Sequence, residues 1–324
     1  MSVTTRAAVT GGSGFIGGEL LKRLVPNGGI SALFRTHGAQ SEAWAKSGCR
    51  VAIGDLDDPV ALADLLHGVE IVYHAAAMMA KGDPVASHRV NVVGTENLVR
   101  AALTAGVGRF VYLSSISVYA ATPRPDHWID ETTEPEHTDR LNAYSKTKLE
   151  GEFVVRRLAG EGRMPFTIVR PTNVYGPGSG PWFRQFERML RRVRVAIGNF
   201  PIDVVYVDDL VDGLIGSAAS PAGADELFHL GHEMVYLNRF IREVGQVTGQ
   251  RAWLLRGAAD RILRGAIDWS YRKATGTCMS MSLVRPVRYP HTKATQAFGY
   301  APSIRLADGF ARLTEWYQAR GVAT

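Results

Sequence analysis

The stretch TGGSGFIGGELLKRL, residues 10–24, decides the fold. Three glycines, Gly11, Gly14 and Gly17, recur at a fixed spacing between an apolar run, AAVTGG (7–12), and a segment of helical character (15–25). Strand, glycine turn and helix in that order make the phosphate cradle of a dinucleotide-binding βα unit. Gly11 lets the chain turn sharply. Gly14 lets backbone amides approach a pyrophosphate. Gly17 lets the helix lie close on the strand. The first helical turn, at Phe15 and Ile16, presents backbone amides and partial positive charge to the phosphates. Glycines that serve only close packing would share this spacing, but their place straight after the first strand favours a bound phosphate.

The alternation continues outward from this unit. Strands are expected at 30–35, 49–56, 70–77, 109–115 and 166–171, with helices at 58–69, 87–107 and 142–158. Strands alternating with helices imply a parallel sheet covered on both faces. The fold class is therefore α/β, a Rossmann-type doubly wound parallel sheet with a smaller C-terminal substrate-binding lobe. After residue 171 a Gly/Pro-rich loop (173–181) and an Arg-rich helix follow. The run 204–219 then returns to strand and helix, with Asp208 or Asp209 able to cap the helix. Residues 232–324 read as more polar and irregular. The expected division is residues 1–175 for the dinucleotide-binding domain, returning at about 203–231. Residues 176–202 and 232–324 are left for the lobe.

The second strand ends Leu33-Phe34-Arg35-Thr36-His37. An NAD site places an acid there to grip the ribose 2′-hydroxyl, and an NADP site offers arginine to the 2′-phosphate. Arg35 without an acid points to NADP rather than NAD. Asp55, with Leu56, ends the third-strand segment and is placed to contact the adenine. Ala75 and Ala76 form a small-residue strand end past which the cofactor runs.

Composition excludes several alternatives. The 324 residues are 46% hydrophobic and 21% charged, ordinary for a globular chain. Cys49 and Cys278 make no disulfide scaffold, and no Cys/His cluster points to a metal. No uncharged apolar run reaches the ~18 residues of a membrane span, and the N-terminus lacks a signal-peptide core, so a cytoplasmic protein is expected. The net charge is +6, and the densest basic cluster is Arg184, Arg188, Arg191, Arg192 and Arg194. No stacking aromatics interleave with these arginines, so they read as a solvated face rather than a nucleic-acid surface. The basic segment 262–273 has charge on several faces and reads as part of the lobe, not as a membrane anchor.

The chemistry lies in Ser114-Ser115-Ile116-Ser117-Val118-Tyr119 and in Tyr144-Ser145-Lys146-Thr147-Lys148. Tyr144 and Lys148, four apart, share one helical face. A neighbouring ammonium favours the phenolate, so Tyr144 is placed to exchange a proton with a substrate oxygen. Lys148 would also hold the nicotinamide ribose. Ser115, at the end of the preceding strand, would bond the same substrate oxygen.

These pieces resemble the extended short-chain dehydrogenase/reductase family, the NAD(P)-dependent epimerase/dehydratase group. The matching segments are TGGSGFIG, GDLDD, YHAAA, VNVVGTENLV, VYLSSISVY, YSKTKLEGE, IVRPTNVYGPG and VVYVDDLVDGL, in family order. The C-terminal segment PHTKATQAFGYAPSIRLADGFARLTEWY resembles the family's usual ending. The resemblance implies an active site of Ser115, Tyr144 and Lys148, with Ser115 selected over Ser114 and Ser117. It also implies a cofactor contact at Asn91, passage of Pro171 close to the nicotinamide, and a homodimer.

Within the family, Ile116 and Ser117 supply no carboxylate beside Ser115, which argues against a dehydratase. The run before the YVDD strand, residues 199–203, lacks the arginine that sugar-nucleotide enzymes often pair with the diphosphate. Asn173 pulls the other way. The arginine-terminated second strand and the loop Ala77-Met78-Met79-Ala80 resemble the reductase and 3-beta-hydroxysteroid-dehydrogenase-like branch. Methionines there suit an adaptable apolar pocket, or they fill core. The expected activity is hydride transfer between NADP(H) and a small-molecule carbonyl or alcohol carbon. The alternatives are a redox-neutral nucleotide-sugar epimerase holding NAD(P) tightly and a non-catalytic dinucleotide sensor.

Overall fold

Strand β1 (Ala7–Thr10) is buried along its whole length and sits near the middle of a seven-stranded sheet. The others are β2 (Ile30–Phe34), β3 (Arg50–Ile53), β4 (Ile71–His74), β5 (Arg109–Leu113), β6 (Phe166–Pro171) and β10 (Glu226–Leu230). The order is β10-β6-β5-β4-β1-β2-β3, and every pairing is parallel. The computed structural model describes residues 5–79, 83–122, 128–179, 181–192, 201–250 and 287–321, with short pieces at 195–196 and 253–254 and single positions between 262 and 273.

Helices α1 (Phe15–Leu24), α2 (Ala39–Lys46), α3 (Pro59–Leu66), α4 (Pro84–His88), α5 (Gly94–Thr104), α6 (Ala143–Glu161), α7 (Pro181–Arg192) and α8 (Val207–Ala219) follow the strands. Alternate residues of each strand enter opposite cores, as the pleat requires. Val111 and Leu113 of β5 pack with Leu20 of α1 and Leu210 of α8. Phe110 and Tyr112 pack with Leu65 of α3, Leu98 of α5 and Val155 of α6. The sheet is therefore covered on both faces, as a parallel sheet must be.

The chain leaves β1 toward β2 and β3 on one side, then builds β4, β5, β6 and β10 on the other. That reversal opens a crevice at the carboxyl ends of the strands, where ligands of such sheets bind. Gly11, Arg35, Ala75, Ser115 and Pro171 all lie at those ends.

Several local expectations need correction. The segment 173–181 is not all loop, because β7 (Asn173–Tyr175) pairs with β9 (Pro201–Tyr206), which pairs with β11 (Glu233–Tyr236). So β9 belongs to a three-stranded side sheet and not to the main one, and β10 supplies the seventh main strand. The pieces at β8 (Val195–Ala196) and β12 (Trp253–Leu254) pair with each other. Past residue 232 the described residues include α9 (Leu237–Val247), α10 (Thr292–Phe298) and α11 (Leu306–Gln318). The expected helix at 87–107 begins at α4 and passes through one π-type turn, Arg89–Val93, into α5. Neither Asp208 nor Asp209 caps α8. Asp208 pairs with Arg312 at 2.9 Å, and Asp209 accepts the backbone N–H groups of Ser303 and Ile304. Most of the basic segment 262–273, with Cys278, Ala80 and Arg194, lies outside the described residues.

Candidate functional site

The glycine turn needs bare backbone at two points. Gly11 has φ +75°, and a Cβ there would come 2.7 Å from the Ala75 and Ala76 backbone. A Cβ on Gly17 would come within 2.6 Å of the Gly11 carbonyl carbon. The Gly14 N–H donates to the Gly11 carbonyl at 2.8 Å, and no side chain caps the start of α1 at Phe15 and Ile16. The open cradle, its unobstructed glycines and the uncapped helix fit a dinucleotide pyrophosphate. Beneath it, Thr10 Oγ1 and His74 Nδ1 lie 2.6 Å apart, and His74 Nε2 lies 2.9 Å from Thr95 Oγ1. Ala76 N donates to Thr10 Oγ1 at 3.3 Å, so β1 and the end of β4 are tied together. Arg35 is exposed just past β2. Asp55 is also exposed, with its Oδ1 accepting from Leu56 N at 2.6 Å, while Leu56 is buried.

The second half of the site is built by α6. Asn142 Oδ1 caps this helix by accepting the Ser145 N–H at 3.0 Å. Tyr144 and Lys148 follow one turn apart on the face turned to β5. Ser115 leaves β5 in extended conformation, and its Oγ accepts the Ser117 N–H at 3.1 Å. The Ser115 hydroxyl lies beside the Tyr144 side chain and favours its phenolate form. Ser115 and Tyr144 remain partly accessible, while Lys148 is buried behind them. The Lys148 ammonium lies 4.2 Å from the centre of the Tyr112 ring, a cation–π contact. The structure thus brings Ser115, Tyr144 and Lys148 together at the mouth of the crevice.

Burial dominates the electrostatics. It pushes the Tyr144 hydroxyl up to about 12, with the neighbouring Ser115 hydroxyl pulling the other way. It pulls Lys148 down to about 7, with the Glu152 carboxylate opposing. Desolvation is the larger influence on the tyrosine here. At neutral pH Tyr144 therefore holds its proton.

Asn91 is buried and bonded on every side. Its Nδ2 donates to the Met78 carbonyl and to Thr147 Oγ1, both at 2.9 Å, and its Oδ1 accepts from Met78 N at 2.7 Å. It ties α6 to the loop after β4 with its amide already spent inside the protein. Met79 is 38% exposed, so it does not fill core. Pro171 is buried at the end of β6, beside Leu230.

Sequence reading passed over a buried polar cluster behind this site. Arg170 and Glu152 form an ion pair with Nε–Oε1 at 2.8 Å and Nη2–Oε2 at 2.5 Å. Ser114 Oγ donates to the same carboxylate, and Arg170 Nη1 donates to the Tyr119 hydroxyl. Tyr119 in turn shares a 3.0 Å bond with His229 Nε2. The visible signal was spacing, since Glu152 falls one helical turn after Lys148.

Other candidates lie apart from the crevice. Arg184, Arg188 and Arg191 are exposed on α7, and Arg184 and Arg191 lie near Tyr317 of α11. Asn173 Nδ2 donates to the Asp203 carbonyl at 2.8 Å, within the side sheet. Ile202 is buried opposite Val235. Among the described residues no group of His, Cys, Asp and Glu could hold a metal ion, and no helix is long and apolar enough to cross a membrane.

The model of the NAD dependent epimerase/dehydratase family matches residues 7–231. The 3 beta-hydroxysteroid dehydrogenase/Delta 5-->4-isomerase of Mycobacterium tuberculosis is 34% identical over 271 residues, 77% of this chain and 72% of that protein. The 2-alkyl-3-oxoalkanoate reductase of Stenotrophomonas maltophilia is 28% identical over 94% of this chain and 97% of that one. Among solved structures, MoeE5 in complex with UDP-glucose and NAD superposes with a TM-score of 0.76 at 25% identity, covering 98% of this chain and 100% of that one.

Proposed function

This chain belongs to the NAD dependent epimerase/dehydratase family, and we propose that within it the protein is an NADP(H)-dependent oxidoreductase. The reading is hydride transfer between a nicotinamide and a carbonyl or alcohol carbon of a small molecule. One observation carries it: Ser115, Tyr144 and Lys148 lie together at the carboxyl ends of the strands, the same end of the sheet as the open glycine cradle.

Gly11, Gly14, Gly17 and the amides at Phe15 and Ile16 would hold the pyrophosphate. Arg35 would meet a ribose 2′-phosphate, Asp55 and Leu56 the adenine, and Lys148 and Pro171 the nicotinamide side. Bound there, the dinucleotide would supply or take the hydride. Ser115 Oγ holds the substrate oxygen, and Tyr144, protonated at neutral pH, gives that oxygen its proton as the carbonyl is reduced. Lys148, near neutrality in its affinity for protons, lies one turn away to charge and assist the tyrosine.

Reduction is favoured over nucleotide-sugar epimerisation by two observations. Asn173 already donates its amide within the side sheet. The residues of β9 offer Ile202, buried and apolar, and no arginine. Substrate determinants would lie in the loop after β4, in the turn after Ser115, and in the lobe past β6. A homodimer is part of the same reading, since α6 leaves Phe153 59% exposed.

The test is titration with NADPH and NADH, then turnover against a panel of β-keto acids, ketosteroids and UDP-glucose. NADPH consumed by a carbonyl compound, with Tyr144→Phe slower by about 10²–10⁴-fold, supports the reading. Full turnover in Tyr144→Phe, or interconversion of UDP-glucose without net NADPH use, would overturn it.

A further inference from the structure

Buried ion pairs are poor sources of net stability, because desolvation offsets most of their attraction. What they supply is geometry. The side chains of Arg170 and Glu152 are 4% and 1% exposed. Two of the arginine's nitrogens grip the two carboxylate oxygens, and its third is taken by Tyr119. Ser114 adds a further donor to the carboxylate. Such a fork–fork arrangement admits few alternative poses.

Each partner in the cluster stands next to a residue of the proposed site. Ser114 precedes Ser115, Arg170 precedes Pro171, and Glu152 follows Lys148 by one turn of α6. We propose that Glu152 and Arg170 are positioning residues: their pair holds the Tyr144–Lys148 turn against the ends of β5 and β6, and Glu152 is the counter-charge of Lys148. The inference rests on the Ser115, Tyr144 and Lys148 reading above.

The surroundings of Lys148 leave this role to Glu152. From β5 it meets the Tyr112 ring, and from β4 it faces His74, which burial keeps neutral. Its own helix presents Tyr144 and Glu152. The neighbouring π-type turn and α5 present Asn91 and Thr95, which carry no charge. Around Glu152 itself stand Arg170, Ser114, and the Tyr119–His229 pair, whose histidine burial also keeps neutral. Asp130 and Glu131 face the Tyr119–His229 end of the cluster, so Glu152 is the acid set between two cations, Lys148 on its own helix and Arg170 on β6.

The chain has seven lysines, few enough to follow individually by ¹³Cε-lysine NMR across a pH titration, with Lys148 assigned by loss of its signal in Lys148→Met. In Glu152→Gln the Lys148 midpoint is expected to fall by at least about one pH unit, and in Glu152→Asp, which keeps the charge, by much less. Turnover should fall in both variants, while NADPH affinity, set by the glycine cradle, stays within about threefold of wild type. Should Glu152→Gln not fold, the Glu152→Gln/Arg170→Gln pair removes both buried charges with little change of shape, and a smaller downward shift is expected, because the Arg170 charge that opposes Lys148 protonation is lost as well. An unmoved Lys148 midpoint overturns the proposal. That result is separable from failure of the site reading, which would show as full turnover in Tyr144→Phe with the Lys148 shift intact.

Discussion

A Cβ on Gly17 would meet the Gly11 carbonyl carbon at 2.6 Å, so the first turn of α1 and the turn after β1 touch backbone to backbone. Gly17→Ala must push these segments apart. It should cost about 1–3 kcal/mol of stability and weaken NADPH binding by at least about tenfold. Urea unfolding and fluorescence titration check both. A variant of wild-type stability and affinity would show that the close approach is not needed for the cradle.

Arg35 stands exposed past β2 with no acid beside it in sequence. If it meets a 2′-phosphate, Arg35→Ala should weaken NADPH binding by about 10–100-fold and leave NADH binding unchanged. Equal losses for the two dinucleotides would remove Arg35 as the selector.

Ser115 and Ser117 are close in sequence, and the proposed reading gives a role in catalysis only to Ser115. Ser115→Ala should lower turnover by about 10–10³-fold, because a donor to the substrate oxygen is lost. The Ser117 hydroxyl has no hydrogen-bond partner among the described residues, and Ser117→Ala should keep wild-type turnover. Steady-state kinetics on the two variants would reverse the assignment if their effects were exchanged.

His74 gives a pH dependence with a definite sign. Burial, with Lys148 nearby, holds its affinity for protons down to about 3, against 6.5 for the ordinary side chain. The unfolded chain therefore binds a proton between these values that the folded chain does not. This contribution to stability is complete above pH 6.5 and is lost as pH falls toward 3, by up to about 1.4 kcal/mol per pH unit. Urea midpoints from pH 7 to 5 should fall less steeply in His74→Asn than in wild type. Parallel slopes would show that His74 is not the group responsible.

Phe153, exposed on α6, tests the expected dimer. Phe153→Asp should shift a dimeric wild type to monomer by light scattering, since a charge in a helix-packed apolar interface is costly. A monomeric wild type would remove the dimer from the reading.

The residues legible from sequence were those whose meaning is local. A glycine turn after an apolar strand declares itself, because backbone conformation and close approach restrict residue type at single positions. Tyr144 and Lys148 share a face because α-helical periodicity alone puts them there. Helix α2 was missed because AQSEAWAK buries only Ser41 and shows little apolar periodicity. The places of β9 and β10 were missed for another reason. Each is a short apolar run, and nothing within such a run says which distant strand it will pair with.

By itself, then, the sequence determined the βα order, the glycine turn of Gly11, Gly14 and Gly17, and the shared helical face of Tyr144 and Lys148, since each follows from sterics and spacing over a few residues. Tertiary structure alone decided that Asp208 and Asp209 serve α11 and the segment before it rather than capping α8. It alone joined Glu152 to Arg170 across 18 positions of the chain. It also made Tyr144 the protonated and Lys148 the weakened partner. Proton affinity is set by how much water packing removes around a group, and that depends on every segment that closes over it.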